Sequence, residues 1–126
     1  MLYEAAPQAV AAGGTLTLAE SQLNSPNSAI ALSGTDGLSL IPGQYLVSFA
    51  SDASIAAAGT IGAALALDGV AVPYGETAIV STAADADRIT LTAIVAPTAA
   101  ATLSVINSTA SENSYENSTL TVVRLA

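Results

Sequence analysis

Apolar and polar residues alternate with a period of two along most of the chain. In residues 44–50, the side chains of Tyr45, Val47 and Phe49 fall on one face of an extended segment. Successive side chains of a strand point to opposite sides, so this period predicts strands with one buried face. The same alternation, with many branched Thr, Val and Ile side chains that suit strands, recurs in residues 15–18, 61–67, 88–95, 101–106 and 118–125.

Turn residues separate these segments at short intervals. Asp68-Gly69 lies between Leu67 and Val70 and predicts a type I′ hairpin, because both central positions of that turn need a positive φ. We expect loops at residues 21–28, 81–87 and 109–117. The alanine-rich residues 56–58 and 83–86 lack a helical stripe of large apolar side chains, so we do not expect helices there. Many short strands with frequent turns predict one all-β domain over residues 1–126, an antiparallel sandwich or barrel.

The composition excludes several classes of function. Hydrophobic residues make up 52% of the 126 residues and charged residues 10%, with a net charge of −8, the opposite of the balance typical of disorder. The sequence contains no Cys or His, and its only basic residues are Arg88 and Arg124. We therefore expect no enzyme, no cofactor, no metal site built on Cys or His and no nucleic-acid binding. The most apolar stretch, residues 53–67, is shorter than the roughly 20 residues that span a membrane, so we expect no transmembrane segment.

The alanine-rich composition indicates self-association. Alanine buries little area, and aromatic residues are only 4% of the chain, so a monomer core gains less from burial than one rich in Leu, Ile and Phe. Apolar residues also lie on the second face of some strands, as Leu46 and Ala50 do. Packing of subunits would cover them, although single exposed alanines are also common. The candidates for a subunit interface or the core are Tyr45, Val47, Phe49, Leu120 and Val122.

Several segments resemble a known family in the family's own order. Residues 42–49 (PGQYLVSF) resemble the central strand of C1q/TNF-like jelly rolls, and residues 60–73 resemble the long strand, hairpin turn and Val-Pro that follow it. Residues 101–107 and 120–126 resemble the penultimate and closing strands, and residues 7–18 resemble the first strand, which we expect over about residues 4–18. More specifically, the chain resembles the C-terminal domain of bacterial collagen-like surface glycoproteins of the BclA type, found in the exosporium.

This resemblance implies a fold, an assembly and a role. The fold would be an antiparallel jelly-roll sandwich of about ten strands, and three copies would form a tight homotrimer. Such a domain would be a non-catalytic head that nucleates a collagen triple helix, sets the register of its chains and faces outward at a spore or cell surface. The 126 residues themselves contain no Gly-X-Y tract.

A trimeric lectin or adhesin that binds surface or host glycans is the alternative function. Tyr74 and Tyr115 fall at expected turn or loop positions, where an exposed aromatic ring would stack on a sugar. A host-surface receptor is a further partner that this alternative implies.

Each of the remaining polar candidates has a structural explanation as well as a functional one. Asp85 and Asp87 suit a hard cation such as calcium, or are solvated loop charges. Glu112 and Glu116 are expected to be solvated, and a glycosidase pair would need carboxylates across a cleft. Asn107 and Asn117 fit the glycosylation acceptor pattern, which arises easily in a chain rich in Ser, Thr and Asn. We expect Arg88 and Arg124 to pair with nearby acids.

Overall fold

The protein is built from β-strands, as the alternation predicts. The computed structural model describes residues 1–21 and 29–126, and within them it contains eleven strands and no helix. No helix in the described residues is therefore long and apolar enough to cross a membrane. The strands are β1 Leu2–Glu4, β2 Gln8–Val10, β3 Glu20–Ser21, β4 Ile30–Ser33, β5 Gly37–Leu40, β6 Tyr45–Ile55, β7 Gly59–Leu67, β8 Val70–Ser81, β9 Asp85–Val95, β10 Ala101–Ile106 and β11 Asn113–Arg124.

The strands form two antiparallel sheets. Sheet A has the order β3-β1-β11-β6-β9, with β2 also paired to β11, and sheet B has the order β4-β5-β10-β7-β8. Six of the ten connections between consecutive strands pass from one sheet to the other, and β4–β5 and β7–β8 are the consecutive strands that pair directly. This antiparallel arrangement is compatible with a jelly-roll sandwich.

The core lies between the two sheets. Tyr45, Val47 and Phe49 point inward from β6, and Leu120 points inward from β11; each is at most 1% exposed. Val122 is partly buried and packs against the same cluster. The five candidates for interface or core therefore line the sandwich interior, and the opposite face of β6 and β11 is left to the surface.

Strand β7 is buried on both of its faces. Ile61, Ala63 and Leu65 belong to the inner cluster, yet Ala64 and Ala66 on the other face are also 0% exposed. Small side chains there can be covered by neighbouring strands without a second packed layer. The alanines of β7 thus serve close packing, which the composition alone could not distinguish from exposure.

The Asp68-Gly69 hairpin prediction is confirmed. Asp68 has φ 51° and Gly69 has φ 82°, as a type I′ turn requires. The Asp68 carboxylate also accepts a hydrogen bond from the Thr102 N–H at 2.9 Å, which ties the turn to β10.

The expected first strand over residues 4–18 is wrong as a continuous element. The structure has two short strands, β1 and β2, and then a single bridge at Thr15. Pro7 lies between β1 and β2 and has no N–H to donate. Gly13 (φ 77°) then turns the chain before the bridge.

Two expected loops are shorter than the sequence suggested, and the third lies largely outside the described residues. Strand β8 extends to Ser81 and β9 begins at Asp85, because acidic side chains are tolerated on an exposed edge strand. Strand β11 begins at Asn113, because its polar side chains have partners across the sandwich. Of residues 21–28, Ser21 belongs to β3 and residues 22–28 are outside the described part.

Candidate functional site

The outer face of sheet A carries a patch without charged side chains, which we call the uncharged face. It is formed by the residues of β11, β6 and β9 that alternate with the inward ones. Its three cross-strand rows are Val123–Leu46–Ile94, Thr121–Ser48–Thr92 and Thr119–Ala50–Thr90.

The first row of the uncharged face is apolar and open to solvent. Leu46 is 37% exposed, Ile94 61% and Val123 50%, and the three residues are direct neighbours across adjacent strands. The second row is held by a 3.2 Å hydrogen bond between the hydroxyls of Ser48 and Thr92. Together they form a contiguous surface of apolar and hydroxyl side chains.

Charges begin at the next row of the same face. Arg88 Nη1 and Asp52 Oδ1 form a salt bridge of 3.0 Å, so the prediction that Arg88 pairs with an acid is confirmed. Asn117 Nδ2 donates to the other Asp52 oxygen at 3.1 Å. These hydrogen bonds from Asn117 and Arg88 hold the pKa of the Asp52 carboxyl below its ordinary value.

A β-bulge aims Asn117 at Asp52. In β11, Asn117 and Ser118 together oppose the single residue Ser51 of β6, and Asn117 adopts φ 50°. The extra residue turns Asn117 outward and Ser118 inward, where its hydroxyl bonds to that of Ser51 at 2.8 Å. Such bulges re-aim side chains at surfaces that bind.

A groove of about 380 Å³ lies beside this bulge, and we call it the Tyr3 groove. It is open to solvent, and its exposed surface is mostly apolar, although the charged residues Glu4 and Arg88 both line it. The other lining residues are Met1, Tyr3, Ala5, Asn117, Ser118 and Thr119. Its volume is at the lower end of the range found for small-molecule pockets.

Tyr74 lies on the edge strand β8 at a second bulge. Between the pairs Ala64–Glu76 and Ala66–Ala71, one residue of β7 opposes four of β8, so Tyr74 leaves the ladder. It is 98% exposed and has φ 65°, a conformation that bulky side chains rarely adopt. Tyr74 is therefore exposed as expected, and a glycan contact there stays a prediction.

Tyr115 is buried, so its expected role as an exposed glycan contact is wrong. It points into the sandwich from β11 with 0% exposure, and its hydroxyl donates to the Gly62 carbonyl of β7 at 2.5 Å. Burial raises the pKa of the phenol well above its ordinary value of 10.0. Asn113, two residues earlier, accepts from the Gly62 N–H at 3.0 Å and donates to the Thr60 carbonyl at 3.1 Å.

Asn107 is also buried, so it cannot present its amide for glycosylation. Its Nδ2 donates to the carbonyls of Val10 and Ser111 at 2.9 and 2.8 Å. Its Oδ1 accepts from both the N–H and the hydroxyl of Thr109. The Asn107 amide thus supplies hydrogen bonds to backbone groups at the end of the sandwich, where the strand ladders stop. The Asn117 amide, in contrast, is engaged with Asp52 at the surface.

The other acidic candidates are not gathered into one site. Asp85, Asp87, Glu112 and Glu116 are exposed, and no group of three or more potential metal ligands occurs within the described residues. Asp85 accepts from the Ala86 N–H at 2.8 Å. Arg124 forms no ion pair in residues 1–21 and 29–126 and donates to the Pro42 carbonyl at 3.4 Å, so its predicted pairing with an acid is wrong.

The sequence analysis missed the uncharged face and the Tyr3 groove as surfaces. The face was readable in principle, because alternate residues of β6, β9 and β11 carry no charge over three positions. The groove could not be predicted from the sequence, because it depends on the bulge and on the pairing of β1 with β11. No family model matches the sequence, and no curated protein matches it at a significant level.

Proposed function

We propose that the chain is a C1q/TNF-like jelly-roll domain that acts by self-association, without catalysis. Three copies bury their uncharged faces around a threefold axis and form the head of a collagen-like bacterial surface protein. The strand order of sheet A supports this proposal. In that sheet β11, β6 and β9 are neighbours, and they correspond to the closing, central and edge strands of such a jelly roll. The family resemblance of residues 42–49, 60–73, 101–107 and 120–126 supports it independently.

The uncharged face is the observation that carries the proposal. Each copy has a net charge of −8, so association must bring together surfaces that leave the acids in solvent, where salt screens their repulsion. All ten acids lie outside the three rows of the face. Burial of the Leu46, Ile94 and Val123 side chains adds apolar area at the centre of the contact.

The position of β1 suits a register-setting role. Strand β1 pairs with β11 in sheet A, beside the uncharged face. When three such faces meet, three β1 strands lie near the axis, and stalk segments joined to them start side by side. We place the head at a spore or cell surface, facing outward. A Gly-X-Y tract joined to these 126 residues in a longer polypeptide would support the stalk role.

Light scattering after size exclusion tests the assembly. The unaltered chain is expected at three times 12.3 kDa, and Ile94→Glu at a single chain mass, because the substitution places three carboxylates close to the axis. Leu32→Glu is the matched control, since Leu32 is similarly exposed (52%) but lies on β4 of sheet B. A chain that is monomeric when unaltered, or an Ile94→Glu variant that assembles as well as the control, would overturn the proposal.

Glycan binding is the second candidate, and the exposure of Tyr74 is the observation that favours it. A glycan array with the unaltered chain and Tyr74→Ala tests it directly. Signals that need the Tyr74 ring would support a lectin, and an array without any protein-dependent signal would remove this candidate.

A further inference from the structure

Two Asn-Ser-Thr triplets fit the acceptor pattern for N-linked glycans, and the fold places them in opposite environments. They are residues 107–109 and residues 117–119. The pattern needs an amide nitrogen to which a sugar can be attached and a hydroxyl two residues later. Because a glycan is bulky and hydrophilic, a folded domain can carry one only where that nitrogen faces solvent.

The first triplet cannot carry a glycan in the folded chain. Asn107 is 0% exposed, and both hydrogens of its Nδ2 are donated, one to the carbonyl of Val10 and one to that of Ser111. The Thr109 hydroxyl is engaged as well, because it donates to Asn107 Oδ1 at 2.7 Å. A sugar on this nitrogen would remove a buried hydrogen bond and place a bulky group in the packed interior.

The second triplet has an amide hydrogen to spare. Asn117 is exposed, and among the described residues its Nδ2 donates once, to Asp52 Oδ2 at 3.1 Å. An amide nitrogen carries two hydrogens, so a sugar can replace one while the other keeps the bond to Asp52. The Thr119 hydroxyl likewise has no hydrogen-bond partner within residues 1–21 and 29–126.

The β-bulge makes the second triplet accessible. The extra residue turns the Asn117 side chain outward, with φ 50°, while Ser118 points inward and is 1% exposed. All three residues of the triplet line the Tyr3 groove, which is open to solvent, so the amide borders free space. Asn117 is bonded to the charged row, beyond the uncharged face. A glycan there and self-association through the three uncharged rows are therefore compatible.

We propose that Asn117 is an N-glycosylation site, which receives an oligosaccharide from a diphosphate-linked sugar donor. In the transfer, Asn117 Nδ2 forms a bond to the anomeric carbon of the sugar, and the bond from that carbon to the diphosphate oxygen breaks. The diphosphate leaves with the electron pair, and the displaced amide proton passes to a base of the transferring enzyme. The inference does not depend on the proposed self-association.

Mass spectrometry of the denatured full chain tests the site, after secretion with a cleavable leader from cells that contain an oligosaccharyltransferase. The unaltered chain is expected to exceed 12.3 kDa by the mass of one glycan. Enzymatic removal of the glycan is expected to convert Asn117 to an aspartate, which marks the attachment site. Asn117→Gln and Thr119→Ala are expected to lose the whole addition, whereas Thr119→Ser keeps the hydroxyl and the glycan.

The buried triplet supplies the matched control. Thr109→Ala removes the first acceptor pattern and is expected to leave the added mass unchanged. An unaltered chain of 12.3 kDa, or an addition that persists in Asn117→Gln, would overturn the proposal. The mass of a denatured chain does not depend on how many copies associate, so neither result bears on the proposed trimer.

Discussion

At the scale of single residues, buried amides replace the backbone ladder where strands end. Asn107 and Asn113 are at most 1% exposed, and their side chains bond to the backbone of Val10, Ser111, Thr60 and Gly62. A buried backbone group without a partner is costly. These asparagines therefore hold the end of the sandwich in place. For Asn107, the sequence pattern alone suggests a glycosylation acceptor instead.

Asn107→Ala is predicted to destabilise the domain strongly. It leaves the Val10 and Ser111 carbonyls without the amide donor, at an expected cost of about 3 kcal/mol in the free energy of unfolding. Urea denaturation followed by circular dichroism measures this cost, with Glu112→Ala, an exposed neighbour, as the control within about 0.5 kcal/mol. Equal stability of the two variants would show that the amide is dispensable.

The pKa of Asp52 is predicted to lie below 3.8 in the folded chain, because Asn117 and Arg88 bond to the carboxylate. The contribution of these bonds to stability is therefore present above pH 3.8 and is lost as the pH falls through the lowered pKa. Carboxyl NMR titration measures the value. Asn117→Gly, which tolerates the positive φ, is expected to move it upward, and an unchanged Asp52 titration in that variant would contradict the assigned cause.

Because the Tyr115 phenol is buried, we predict that the domain loses stability at alkaline pH. Its pKa is raised by burial, so the folded state keeps the phenol proton that the unfolded state releases near pH 10. Stability is complete below that pH and decreases as the pH rises above it. Denaturant unfolding at mildly and strongly alkaline pH is expected to show this decrease for the unaltered chain and a smaller one for Tyr115→Phe. The same decrease in both would assign it to other groups.

At the scale of strands, the period-two pattern predicts the long elements and fails at the polar or interrupted ones. Strands β6, β7, β9 and β10 were readable because their inward residues are apolar. The start of β11 was not, because Asn113 and Tyr115 face inward with partners on the opposite sheet. The start of β8 was readable from the Asp68-Gly69 hairpin, but its full length was not, because a bulge at residues 72–75 breaks the alternation.

Gly62→Ala is predicted to separate β7 from β8. An added Cβ at Gly62 would lie 2.4 Å from the Thr77 carbonyl oxygen, and the same residue anchors Asn113 and Tyr115. We expect a loss of at least about 3 kcal/mol, or an insoluble product. Gly34→Ala is the control, since its φ of 62° is unfavourable but no atom lies within 4 Å, and it should cost about 1 kcal/mol. A Gly62→Ala variant as stable as the control would contradict the close approach of the two strands.

At the scale of the whole molecule, the distribution of charge is more informative than its sum. The composition predicts an acidic protein but not where its acids lie. The strand register determines where they lie. The acids occupy turns and loops, edge strands, the end of β1 and the charged row beyond the uncharged face, and three consecutive rows of sheet A have none. The all-β class was therefore predictable from the sequence. The surface that could bind another copy needed the pairing of strands far apart in the chain.

The mass of the unaltered chain in solution tests the central claim most directly. Sedimentation equilibrium at several micromolar concentrations should fit one species of three times 12.3 kDa, because the exposed side chains of the uncharged face are buried when copies associate. A single species of 12.3 kDa at every concentration would show that the face remains in solvent, and the proposed role would then be wrong.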